Sequence, residues 1–289
     1  MIYEDKSKNI YIEAGDIKLG ENVTLSNDIS IKVFGKFYLG DNSYLGNNVS
    51  MKGNNIIIGK HFYYSPLNNL GITVGGGGSN SPTSNLTVGD RCVFHNSHIN
   101  ICESVTIGDD VGLSNYVDII THGFWYSTLK GYPAEFAGVT IGNNVIVGWK
   151  STIMAGVRIS DNVVIGANSN VIKSLTESES IYVGNPAKFI KKIEEPDTKD
   201  KLKILNSIID EFKDLLEHYE VENIDFNIDY PNLTINNFTI NVEDFSYTGV
   251  EDKVTDMFRD FIRKKGIRIY TDRKFSSNLE RKGDEIVFA

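Results

Sequence analysis

The sequence predicts a mainly β protein: a parallel β-helix that carries a small C-terminal α+β domain. Three observations predict it. Between Ile141 and Val171 an aliphatic residue fills every sixth position without a miss, at Ile141, Val147, Ile153, Ile159, Ile165 and Val171. A helix repeats after about 3.6 residues and a half-buried strand after about 2, whereas a solenoid with one short strand on each face of a prism repeats after about six. With 40% of the chain hydrophobic, a block of six hits arises by chance in fewer than roughly one case in a hundred. The same phase returns at Leu39, Leu45, Met51, Ile57 and Tyr63, and at Ile101, Ile107, Leu113 and Ile119. Finally, small or turn-forming residues follow the repeat positions: Leu-Gly-Asp-Asn at 39, Leu-Gly-Asn-Asn at 45, Ile-Gly-Asn-Asn at 141. Gly and Asn tolerate the positive φ that the corner of a tight coil demands.

Tyr11, Ile17, Val23 and Ile29 set the period first, Gly35 breaks it, and Leu39 resumes it in a shifted phase. Valine recurs two residues before the repeat position, at Val145, Val157 and Val163, so each hexad contributes a short β-branched strand facing inward. Three hexads make one lap of about 18 residues, the pattern of stacked repeats sharing one core. Two excursions interrupt it. Residues 69–85 contain GGGGSNSPTSN and read as a flexible polar loop. They lack the GK[ST] ending and following helix of a phosphate loop. Residues 123–138 carry Phe124, Trp125, Tyr126, Tyr132 and Phe136, an aromatic loop expected to cover a site.

The β-helix domain is expected over 1–193 and the appendage over 198–289, after a charged hinge at Glu194, Glu195, Pro196 and Asp197. Leu202, Leu205, Ile208, Ile209, Phe212, Leu215, Leu216 and Tyr219 predict an amphipathic helix over 198–219. Short alternating stretches follow, such as Phe238-Thr239-Ile240-Asn241-Val242. A second helix carries Val254, Met257, Phe258, Phe261 and Ile262, ends at Gly266, and precedes a predicted strand from Ile267 to Tyr270.

A net charge of −9 and a pI near 5.1 argue against nucleic acid as a partner, which needs a basic face. Cys92 and Cys102 have no CxxC spacing and read as small buried side chains. No apolar stretch suits a signal peptide or a transmembrane segment, so a soluble, cytoplasmic protein is expected.

The segments VTIGDDVGLSNYVDIITHG (105–123), VTIGNNVIVGWKSTIMAGVRISDNVVIGANSNVIKS (139–174) and VGNPAKFIKKI (183–193) resemble the hexapeptide-repeat acetyltransferases, in the galactoside/maltose O-acetyltransferase and streptogramin acetyltransferase branch. The resemblance covers about 90 residues by motif and about 50 more by period alone; residues from 194 onward lie outside it. It implies a left-handed coil, a homotrimer with sites between subunits, and transfer of acetyl from acetyl-CoA to a hydroxyl of a saccharide, such as a surface polysaccharide or its precursor. It also implies that the Gly-Asn-Pro-Ala-Lys turn closes the solenoid before a basic helix start.

His122 is the expected catalytic residue. Attack of an alcohol on a thioester requires removal of the hydroxyl proton, which a neutral imidazole can accept, contributing roughly 10²–10⁴ in rate. In the resembling enzymes the catalytic histidine ends a strand before a long loop, as His122 does after Ile-Ile-Thr. No Ser-His-Asp arrangement is needed. Asp118, Glu135 or a main-chain carbonyl could orient the ring, and a backbone N–H or side-chain amide could hold the oxyanion. His95, Asn96, His98 and Asn100 form a polar cluster in FHNSHIN. By resemblance Asn96 suits acceptor binding best, with His95 and His98 beside it and Trp125 contributed from the aromatic loop.

For the coenzyme, the resemblance assigns Lys173, Lys188 and Lys191 to its phosphates or adenine, and Gly148, Trp149, Gly166 and Ala167 to the edge along its pantetheine arm. Trp149 departs from the small residue usual there. It could narrow the groove, stack on the ligand or face a neighbouring subunit. No metal is expected: a γ-type carbonic anhydrase site pairs histidines that have four residues between them with a third, whereas His95 and His98, with two between them, are the nearest pair here. N-acylation of an amino sugar and a non-enzymatic trimeric scaffold remain alternatives. The two loops and the extra domain point to an acceptor larger than a free monosaccharide. His61 and His218 read as ordinary surface or core residues.

Overall fold

The computed structural model describes residues 1–66, 70–76, 81–271, 279–282 and 285–288. They form two compact units, Met1–Glu194 and Glu195–Ala289. The first is the predicted mainly β solenoid, a left-handed parallel β-helix with three faces. The first face is a nine-stranded sheet from Ile2–Asp5 to Asn170–Val171, of which only the opening pair is antiparallel. The second face has seven parallel strands, from Asp16–Leu19 to Arg158–Ile159. The third has nine, from Thr24–Leu25 to Ser180–Val183 and then Lys188–Lys192. We name the corners by chain order: the first joins faces one and two, the second faces two and three, the third faces three and one.

All six residues of the 141–171 series are 2% exposed or less, as are Val145, Val157 and Val163. Burying such side chains supplies about 1.5–3 kcal/mol each. Ile141 pairs with Ile159, Val147 with Ile165 and Ile153 with Val171, so the eighteen-residue lap holds at the C-terminal end. Earlier laps are longer. Leu39 pairs with Ile58 and Ile31 with Met51, and the added corner residues shift the inward phase. Ile56 and Ile58 rather than Ile57, Phe62 and Tyr64 rather than Tyr63, and Ile10 and Ile12 rather than Tyr11 therefore enter the core.

The corners also differ from expectation. At the second corner a residue with positive φ recurs lap after lap: Asn22, Asn42, His61, Arg91, Asp110, Asn144, Asn162 and Glu179. The glycines just before do not adopt it. They are required by close approach instead: a Cβ on Gly108 would lie 2.9 Å from the carbonyl carbon of Gly142, and one on Gly142 2.2 Å from Asp161 Oδ1. The Asp or Asn after each glycine binds the adjacent lap. Asp90 Oδ1 accepts Lys60 N–H (2.8 Å), Asp109 Oδ1 accepts Asp90 N–H (2.8 Å), Asn143 Oδ1 accepts Asp109 N–H (2.8 Å) and Asp161 Oδ1 accepts Asn143 N–H (2.7 Å).

In the predicted loop 69–85, residues 70, 71, 76 and 81–84 are coil or turn. Ile72–Gly75 is a strand of the first face with Ile72 and Val74 buried, and Asn85 opens a strand of the second. Residues 69 and 77–80 of that loop lie outside the described residues. After the Gly-Asn-Pro-Ala-Lys turn the chain forms not the expected helix start but the strand Lys188–Lys192, folded back antiparallel on Ser180–Val183. Cys92 is buried, and burial pushes its thiol up to about 12.

The second unit is α+β. Helix α1 (Thr198–His218) is capped by Asp197, which accepts Asp200 N–H at 2.8 Å, and buries Leu205, Ile208, Ile209, Phe212 and Leu216. Helix α2 (Lys253–Ile262) begins with a capping box between Asp252 and Thr255. Their core is shared with a four-stranded antiparallel sheet from Phe226–Asp229 to Tyr247–Gly249. The fully buried Arg259 donates from Nε to the Ile269 carbonyl (3.1 Å) and pairs with Glu251 and Asp256. Residues 267–270 form no strand, in contrast to the prediction, and the Ile269 carbonyl among them accepts the Arg259 Nε–H. A hairpin of Leu279–Lys282 and Glu285–Phe288 was not anticipated. Among the described residues, no helix is long and apolar enough to cross a membrane.

Candidate active site

His122 lies at the first corner, where the strand Val117–Ile119 leaves the first face and the aromatic loop begins. The loop does not simply arch away. His122 and Gly123 pair antiparallel with Phe136 and Glu135. This brings the His122 ring 5.3 Å from Phe136 and 5.7 Å from Phe124, and those two rings stack on each other at 5.3 Å. The base of the loop therefore packs beside the imidazole, while Trp125 (83%) and Leu129 (97%) project into solvent.

The partner of His122 is Asn100, on the preceding lap. Asn100 Oδ1 sits 3.0 Å from His122 Nδ1, 2.6 Å from the Thr121 hydroxyl and 3.1 Å from Cys102 N. Thr121 Oγ1 in turn accepts the Glu103 N–H at 3.2 Å. Asn100 and Thr121 are buried and His122 is partly exposed. The ring is thus held from its Nδ1 side. Neither expected carboxylate fills this role. Asp118 points out of the first face towards His98 (3.6 Å), and the Glu135 carboxylate lies over Gly156. Sequence reasoning placed Asn100 in a polar cluster but missed its partner, since the contact joins residues 22 apart across laps.

The other expected residues fall elsewhere. Asn96 immediately precedes the strand Ser97–Asn100, which Asn100 ends; four residue steps, about 13 Å, separate them. Asn96 is 3% exposed and lines a groove of about 310 Å³ with Thr73, His98, Tyr116 and Asp118, over the first face and third corner. His95 is tied back by Nδ1 to the Ser65 carbonyl at 3.0 Å, a bond between laps. Within one chain, then, His95 and Asn96 lie at the edge of the first face opposite His122, and of the polar cluster Asn100 reaches it.

The coenzyme candidates divide likewise. Gly148, Trp149, Gly166, Ala167 and Lys188 are at or beside the third corner, Lys173 at the first, and Lys191 on the closing strand. Gly148 and Gly166 also have packing reasons: a Cβ would lie 2.5 Å from Ala167 N and 2.6 Å from Val183 Cγ1 respectively. Trp149 stands edge-on to Tyr116 (6.0 Å), with the Lys150 ammonium 4.4 Å above its ring. Lys173, Lys188 and Lys191 are exposed, while Lys192 is bound to Glu177 at 3.2 Å. Among the described residues, no three His, Cys, Asp or Glu side chains group as metal ligands.

Fold and site together define a hexad-coil protein with an amide-tethered imidazole at an open corner. No family model matches the chain, and no curated protein matches it. Solved structures to which it is similar are acetyltransferases of the hexapeptide-repeat kind. A maltose O-acetyltransferase from Clostridium difficile 630 is similar over 64% of this chain and 70% of its own, at 25% identity and a TM-score of 0.32. The polySia-specific acetyltransferase NeuO is similar over 64% of this chain and 87% of its own, at 23% and 0.40. A galactoside acetyltransferase in complex with coenzyme A is similar over 61% and 65%, at 26% and 0.38.

Proposed function

We propose that the protein is an acetyl-CoA-dependent O-acetyltransferase that acts in the cytoplasm on a hydroxyl of a saccharide, with His122 as general base. The observation that carries this reading is the His122–Asn100 bond: Nδ1 is held inside the fold, which leaves Nε2 for chemistry. The acyl donor supplies an acetyl group already activated as a thioester. His122 Nε2 takes the acceptor's hydroxyl proton while the new C–O bond forms, and returns it to the sulfur as the C–S bond breaks. Exposed Lys173, Lys188 and Lys191 suit the coenzyme phosphates despite the acidic chain.

The reading includes a homotrimer with sites between subunits, and the separation of the two corners supports it. A neighbouring copy that presents its third corner to this copy's first corner would bring the coenzyme edge to His122. The third face supports such packing, since its outward positions include Tyr44, Tyr63, Val93, Ile146, Val164 and Ile181, with Ile146 53% exposed. Trp125 at the loop tip and the Asn96–His98 groove would then be the acceptor-facing elements. The test is thiol release from acetyl-CoA with a panel of mono- and oligosaccharides. His122→Ala is expected to lower kcat roughly 10²–10⁴-fold with coenzyme affinity by calorimetry unchanged. Equal turnover would remove His122 from the mechanism, and no turnover or coenzyme binding by the wild type would favour a scaffold.

A further inference from the structure

We propose that Asn100 is the positioning residue of this site: its carboxamide oxygen selects the Nδ1–H form of His122 and so puts the imidazole lone pair on Nε2. The inference rests on the reading of His122 as the base and specifies how the fold prepares it. Three groups converge on one atom of Asn100, and one of them, Cys102 N–H, can only donate. That atom is therefore the amide oxygen, and the nitrogen occupies the other position. An amide oxygen carries no proton, so the 3.0 Å contact to His122 is a bond only when Nδ1 donates. The Thr121 hydroxyl is fully buried and already engaged on both sides, giving its proton to Asn100 and accepting from Glu103 N–H. It cannot turn that proton towards the ring, which would let Nδ1 accept, without giving up its bond to the buried Asn100 oxygen.

The far end of the amide is fixed as well. Gly76, on the lap before, has φ of 103°, and a Cβ there would lie 2.1 Å from Asn100 Nδ2. One glycine of the Gly-rich run is thus required by the shape of the site rather than for flexibility. Asn100 is 6% exposed and held between Gly76 on one side and Thr121 with His122 on the other. A neutral amide also differs from a carboxylate in what it does to the base. A carboxylate at this distance would stabilise the imidazolium, so the free base would appear only at higher pH. Asn100 orients the ring without adding that charge.

The experiment measures kcat/KM against pH, together with the histidine ¹⁵N spectrum, for the full-length wild type, Asn100→Asp, Asn100→Leu and Gly76→Ala. Wild-type His122 is expected to show protonated Nδ1 and bare Nε2. Asn100→Asp should keep the tautomer and alkaline activity, with its acid limb about one pH unit higher. Asn100→Leu should lose the tautomer preference and on the order of 10²-fold in kcat, with coenzyme affinity intact. Gly76→Ala, which displaces the amide without altering it, should reproduce the Asn100→Leu spectrum in part. A wild-type Nε2–H tautomer, or an Asn100→Leu enzyme within about threefold of wild type while His122→Ala is inactive, would overturn the role of Asn100 and leave His122 standing. Full activity of His122→Ala would instead overturn the reading of the base, and the proposal with it.

Discussion

Gly142→Ala tests what presses one lap of the solenoid onto the next. The added methyl would lie 2.2 Å from Asp161 Oδ1 and 2.8 Å from Asp161 N, both at a corner of the following lap. That Oδ1 already accepts the Asn143 N–H at 2.7 Å. Relief requires either rotating the carboxylate out of its bond or separating the laps. Loss of a hydrogen bond to a charged acceptor costs about 1.5–3 kcal/mol, and residual overpacking about 1–3 kcal/mol. A net loss of about 3–5 kcal/mol is expected. The chain has two tryptophans, Trp125 and Trp149, both in the solenoid unit, so fluorescence during urea titration reports that unit. Asp161→Asn retains an acceptor and should cost less than about 1 kcal/mol. In an Asp161→Ala background the same glycine substitution should cost less, because the nearest clashing atom is gone. A loss below about 1 kcal/mol for Gly142→Ala alone would show that the corner has room, and would refute close approach as the reason for these glycines.

In the second unit, Arg259→Ala should destabilise by about 3–5 kcal/mol, measured by urea titration with circular dichroism, because Glu251 and Asp256 would be left buried without their guanidinium. Arg259→Met should cost less, since it keeps more of the packing volume. For the acid limb of stability, the Glu21 N–H, and next the Lys60 ammonium at 3.2 Å, hold the Asp41 carboxyl below its ordinary value of 3.8. The contribution is therefore present above that value and lost as pH falls through the lower folded one. The solenoid's urea midpoint should drop below about pH 4, and less so in Asp41→Asn.

The C-terminal half of the solenoid was legible because Ile141 to Val171 repeats without insertion, so spacing alone gives both lap and inward face. The N-terminal half misled by one residue at Tyr11, Ile57 and Tyr63. There the laps lengthen at their corners, and a period-six count cannot see an added residue whose neighbours are also apolar. Helices α1 and α2 were legible from apolar spacing, and α2 also from its end before Gly266. Residues 267–270 were misread as a strand, because β-branched composition favours an extended segment without supplying a partner strand for it. In the site, His122 could be picked out by its place before a long loop. Its partner could not: Asp118 is the nearer carboxylate in sequence, but strand alternation turns it outward, whereas Asn100 reaches the ring only through the stacking of laps. Asn96 and the glycines of the third corner illustrate the same difficulty, since a face about 13 Å wide separates residues that a linear motif places together.

The second corner keeps one length in all but the last lap and one left-handed residue in each, whereas both excursions sit on the other two corners. It works as a spine: it sets how each lap registers on its neighbour and leaves the remaining corners free to grow. New loops grafted at Met154–Gly156 or Ile172–Ser174 should accordingly be tolerated and would flank His122. The same insert between Asn143 and Val145 would break the column of backbone-to-carboxylate bonds and unseat every lap beyond it.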